Sequence, residues 1–440
     1  MSQGAARSEE LVSRALTSNL MLPLLLGLSL EVVACAPSGP VRAALYGDLP
    51  SLREEIRRAE REGHLGRADV KRLARAVAER ETASATGKSG VRHVRALSAC
   101  GAALLPALRR RSEQHDEVGA SAMLARISLR DIATDKLVSE YARAADPAWR
   151  AVAARSAVSA EDVLLRRAWF TDTDQRVRQA AFEAAALAPA PEDLQHLLEA
   201  FRLDPDPTCR SRAAHAAGSL GGEASVLGLA DRFARADQEG QLTIVEAWSM
   251  PASFKSGGSR ELSLIAAQGR GLVSIAAIHA LLRLGERDGS LAGLLATAIE
   301  QGSEEEQRLA MLQAPLGDAR IEAAIVKAST NSNPEVRVIA LSRLLEVPAR
   351  APKAKQALKE LSAKRLPVAA EARAALAFIG DRSVVRELVA EAQTGPAWSR
   401  ARAASALFRL GESARAAATL ADSDPGVRIG TACSILASRD

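Results

Sequence analysis

Aromatic side chains are scarce: seven Phe, four Trp and two Tyr, 3% of 440 residues. An interior built with so few rings must come from Ala, Leu and Val. That excludes a β-sandwich, whose strands favour β-branched and aromatic residues, and favours close-packed helices. Cysteine is sparse as well. Cys35, Cys100, Cys209 and Cys433 lie far apart and form no CxxC pair, a spacing that rules out a disulfide scaffold and any zinc finger. The six histidines are scattered, with no HExxH and no two placed to share a metal on one helical face. An excess of one charge is missing too: 58 Lys and Arg face 53 Asp and Glu, net +5. Arg interspersed with Glu and Asp reads as a solvated helical surface, not a nucleic-acid groove.

Reaction chemistry is equally thin. No GxSxG elbow or Gly-rich dinucleotide fingerprint occurs. Thr86-Gly-Lys-Ser89 has the ending of a phosphate loop, but Thr82 stands where the motif needs Gly. Cys100 and Cys433 sit among Ala and read as small core residues. Arg109-Arg-Arg111 lacks interleaved aromatics and reads as solvated surface. No catalytic, cofactor-binding or metal-ligating residue is expected, and no small-molecule substrate.

What is present begins at the amino terminus. Leu20 to Leu30 is an uncharged apolar run, short of the ~20 residues a membrane-spanning helix needs. It has the length of a signal-peptide core. Val32-Val33-Ala34-Cys35 resembles the lipobox of bacterial lipoproteins, and Ala36 to Pro40 resembles their tether. That resemblance implies cleavage before Cys35 and lipidation of its thiol. The expected layout is signal peptide 1–34, tether 35–40, an ankyrin-like helical cap 41–80, a linker 81–90 and a repeat array 91–440. A buried first helix is the alternative reading of the start.

Self-similarity dominates the rest. A turn rich in Asp and Pro recurs before a helix: Asp146-Pro-Ala-Trp-Arg150, Asp174-Gln-Arg-Val-Arg178, Asp206-Pro-Thr-Cys-Arg210, Asn333-Pro-Glu-Val-Arg337, Gly395-Pro-Ala-Trp-Ser-Arg400 and Asp424-Pro-Gly-Val-Arg428. A Gly-acid pair closes each first helix, as at Gly285, Gly317, Gly380 and Gly411. Both landmarks share a period near 31, since Gly285 to Gly317 is 32 residues and Gly380 to Gly411 is 31. Asp or Asn caps the helix start, Pro is tolerated just inside it, and Gly in the left-handed conformation ends it. The unit is helix, short turn, helix, and it buries its apolar face only by stacking on neighbours.

These residues resemble HEAT repeats of the short type named after phycobilisome lyases. The resemblance implies an all-α solenoid of about eleven helix-turn-helix repeats, with Arg178, Arg337 and Arg428 in a structural ladder between units. The last helix, Val427 to Ala437, has no second helix after it, so this end is expected to be covered by a partner or another copy. Pro251 to Arg260 reads as an inserted loop with Phe254, Lys255 and Arg260 as candidate partner contacts. The functional expectation is a non-enzymatic scaffold that binds protein. It would be lipid-anchored through Cys35 and face the periplasm, at the outer membrane, without binding nucleic acid. Two alternatives remain open: a lyase-like protein acting on a tetrapyrrole-bearing partner, or a cytoplasmic helical-repeat DNA-binding protein.

Overall fold

The computed structural model describes residues 39–364 and 367–438. The segment expected as a signal peptide and Cys35 therefore lie outside the described residues. Among those described every regular element is a helix, and the array is an all-α solenoid. Eleven helix pairs follow in sequence, from Gly87–Leu97 with Leu105–Ser112 to Ala397–Arg409 with Ser413–Ala417. The landmarks perform as their chemistry requires. Asp146, Asp174, Asp206 and Asp424 accept the first free N–H groups of their helices at 2.7–2.9 Å. Gly285, Gly380 and Gly411 end their helices with φ of 95°, 79° and 82°, whereas Gly317, φ 110°, lies five residues beyond Leu312 in the turn before Asp318.

Small residues set how closely the helices approach. A Cβ at Gly218 would lie 2.6 Å from the Ala247 carbonyl oxygen, so Pro207–Leu220 and Gln238–Trp248 cross backbone to backbone there. Two ring pairs sit at interfaces between elements: Phe170 stacks on Phe182 and Phe233 on Trp248, centroids 5.0 and 5.5 Å apart, whereas Tyr46, Phe378 and Trp398 are exposed. One apolar core runs through the described chain from Ala43 to Ile435.

The carboxyl end corrects the expectation of a partner. Pro425–Ala437 packs on Arg67–Ala83 and on Gly87–Leu97, so the chain's own amino-terminal helices cover it. Arg67–Ala83 stands where a second helix of the last unit belongs, between the outer helices Ser413–Ala417 and Leu105–Ser112. The twelfth repeat is thus composite, its first helix from the carboxyl end and its second from the amino end. The solenoid closes into a ring. Gly39–Tyr46 and Leu49–Arg61 lie outside this seam, against Arg67–Ala83 and the turn Ala418–Ala421.

Three further expectations change. Residues 81–90 are not an extended linker, because Arg67–Ala83 and Gly87–Leu97 occupy seven of the ten and only 84–86 form the turn between them. The segment 251–260 is not an open loop. Pro251–Ser253 leads through a wide turn, Phe254–Gly258, into Ser259–Ala266; the helical backbone breaks only at Ser256 and Gly257, the latter with φ of 112°. Finally, Cys100 and Cys433 form a disulfide across 333 residues of sequence. Spacing along the chain conceals it because only ring closure brings the two together.

Ion pairs tie turns to helices. Asp131, after Glu117–Ser128, sits between Arg109 and Arg126, and first the Arg109 hydrogen bond, then Arg126, holds its carboxyl down to about 2. An unfolded Asp titrates near 3.9, so the folded form binds this proton less tightly. The stabilisation is complete above about pH 5 and is lost as pH falls towards 2. Urea midpoints measured between pH 7 and pH 3 should fall, and Asp131→Asn should flatten that fall. An equally steep fall in the variant would contradict this origin.

Candidate functional site: the inner wall and the seam

At Arg150, Arg178 and Arg400, four residues after the capping turn residue (five at Arg400, where Gly395 opens the turn), one guanidinium bonds both backward and forward, whereas Arg210 bonds only backward, to the carbonyls of Asp204 and Pro205. Arg178 donates back to the carbonyls of Asp172 and Thr173, and forward to both carboxylate oxygens of Asp204 at 2.7 and 2.9 Å. Arg150 pairs likewise with Asp172, and Arg400 with Asp422. The acceptor is the first Asp of an Asp-x-Asp turn whose second Asp caps the next helix. This first Asp was missed in sequence although the pattern is visible as Asp172-Thr-Asp174, Asp204-Pro-Asp206 and Asp422-Ser-Asp424. Arg337 departs from the ladder. Among the described residues it bonds only backward, to the carbonyl of Asn331 in its own turn.

Arg428 shows what the seam is. It donates back to the carbonyls of Asp422 and Ser423, as every ladder Arg does, and forward at 2.7 Å to Glu81. Glu81 belongs to Arg67–Ala83 and takes the place of the next repeat's Asp. Both side chains are buried. Arg67 covers the Phe408 ring, its guanidinium carbon 4.5 Å from the centroid, while Arg53 donates to the Ala421 carbonyl and Lys71 to that of Ser438. The disulfide adds a covalent link beside them.

The first helices form the inner wall. Arg176 pairs with Glu117 across the intervening helix Pro147–Ser156. On a flat stack these helices would stand about 20 Å apart, twice the usual interaxial distance, so the wall must curve inward. Two grooves run along it. One, of about 480 Å³, crosses five successive first helices and carries Arg95, Arg155, Arg176 and Arg212 against Glu117 and Glu183. Glu183 is shared between Arg155 and Arg212. The other, of about 700 Å³, is more apolar, with Leu242, Val245, Leu272, Leu309 and the exposed Leu312. Below it His279 is buried and donates through Nε2 to the Leu309 carbonyl at 3.1 Å, which leaves Nδ1 without a partner. Burial holds this imidazole below its ordinary titration range and therefore neutral.

A third cleft, of about 630 Å³, lies outside the ring at the seam, between Leu49–Arg61 and the second helices of the last repeats. The residues expected as partner contacts are apart from all three grooves. Phe254 packs against the core and is half-buried, whereas Lys255 and Arg260 are exposed on a second helix. Among the described residues, no three His, Cys, Asp or Glu side chains gather as metal ligands. No described helix is long and apolar enough to cross a membrane. Burial pushes the Cys209 thiol up to about 12, so this cysteine stays protonated and unreactive.

The arrangement offers long, shallow, mixed grooves across repeats, which suit contacts with an extended macromolecular surface. No curated protein matches the chain. Residues 134–218, from Asp135–Tyr141 through nearly all of Pro207–Leu220, match the family model of HEAT repeats, and the similarity is to that stretch of the chain.

Proposed function

We propose that this protein is a non-enzymatic scaffold whose inner wall holds a protein partner. The carrying observation is the wall itself: two grooves spanning consecutive first helices, one rich in Arg and one rich in Leu. Binding over such a surface sums many modest contacts around a few anchors. The setting we infer is the oxidising side of a bacterial envelope, with Cys35 as the lipidated residue. The Cys100–Cys433 bridge supports that compartment, because disulfides persist where glutathione and thioredoxin do not reduce them. Labelled palmitate should enter the wild type and not Cys35→Ala; label in neither retires the anchor.

The wall is tested by placing a photo-crosslinking residue at Gln179 or Leu312, both on first helices, or at the exposed Leu264 on a second helix. Inner positions should give adducts of defined mass in cells, and Leu264 none. Adducts of equal yield from all three, or from Leu264 alone, would overturn the inner-wall reading.

A further inference from the structure

We propose that the seam is a redox latch: the Cys100–Cys433 disulfide holds shut the one interface at which the ring can open, and its reduction exposes the inner wall. The inference deepens the scaffold reading and rests on it. Every other interface in the ring joins units that the chain itself connects within a few residues. The composite repeat is different. Between Pro425–Ala437 and Arg67–Ala83 the backbone runs only the long way round, so the disulfide is the sole covalent tie across the seam among the described residues.

Without it, the contacts holding the seam among the described residues are one repeat's worth of apolar packing, the Arg428–Glu81 pair and the Arg67, Lys71 and Arg53 contacts. Separating it breaks no backbone bond and deforms each remaining interface only slightly, as a split ring opens. The two sulfurs are buried but not sealed, at 5% and 8% residue exposure. The inner helix bearing Cys433 moves with the seam, so partial opening admits a thiol.

The exchange balances as follows. A thiolate of a dithiol reductant bonds to one protein sulfur and the other leaves as thiolate. The reductant's second thiol then closes its own disulfide and releases the first sulfur. Two electrons and two protons pass to the protein, giving two Cys thiols. A disulfide-bearing oxidant reverses the reaction and locks the ring.

Hydrogen exchange on the full chain, oxidised and in dithiothreitol, tests this. In the reduced protein, under conditions where exchange runs by local opening and not by global unfolding, amides of Arg67–Ala83 and Pro425–Ala437 should exchange at least about 10-fold faster, well beyond any acceleration of locally exchanging amides in Gln175–Leu187 and Pro207–Leu220. Cys100→Ser with Cys433→Ser should reproduce this without reductant. Equal acceleration at seam and internal helices, or none, would overturn the latch. Seam amides already unprotected in the oxidised protein would instead overturn the closed ring.

Discussion

Asp193→Ala should lower the free energy of unfolding by about 3–5 kcal/mol, the cost of leaving a buried charge without its partner. Asp193 and Arg166 are both fully buried. One carboxylate oxygen accepts from Arg166 Nη2 and the other from Arg167 Nε at 2.7 Å. Arg166 also donates to the Ala157 carbonyl at 3.2 Å, while its Nε has no partner. The cluster joins helix Val163–Trp169 to the turn Pro191–Asp193, and so fastens one second helix to the next. Removing the carboxylate leaves a guanidinium in the core with one weak acceptor. Urea denaturation measures the loss. Asp193→Leu combined with Arg166→Met should recover more than half of it, because the buried cation is then gone as well. A double variant as unstable as the single one would show that packing, not charge, sets the cost.

Loss of the disulfide should have an effect of similar size by another route. Its loop spans 333 residues, and the chain-entropy relation gives about 5–6 kcal/mol for a closure of that length, an upper value. The stabilisation acts on the unfolded chain, so Cys100→Ser with Cys433→Ser should unfold at lower urea while its helical signal under native conditions stays near wild type. The slope of the transition should rise, since an unfolded chain without the cross-link exposes more surface. An unchanged midpoint would mean that the bridge is absent or spans states already held close.

What was legible in the sequence was local and repeated. Capping Asp, helix-ending Gly and the 31-residue period each place a landmark within one turn of the residues it controls, so the solenoid follows from them. The Asp-x-Asp turn was equally legible, yet only its second Asp was read, because a cap acts on its own helix whereas Asp204 serves Arg178, 26 residues earlier. Ser-Gly-Gly resembles a loop and does break the helical backbone at Ser256 and Gly257, but the residues on either side are wound helically, so the segment is shorter than an open loop. The seam could not be read at all. Glu81 and Arg428 are 347 residues apart, Cys100 and Cys433 are 333 apart, and neither pair has a repeat-derived signature. The missing second helix of the last unit was seen, but its replacement lies at the other end of the chain.

The composite repeat is the claim on which ring, ladder closure and latch all depend. Double electron–electron resonance between nitroxides at Arg75→Cys and Ala437→Cys, both exposed positions on the two helices that meet, tests it most directly. Packed helices stand 8–10 Å apart axis to axis, so the oxidised protein should give one narrow population at about 10–25 Å. A broad distribution centred beyond about 40 Å would mean an open superhelix whose ends never meet, and would contradict the account.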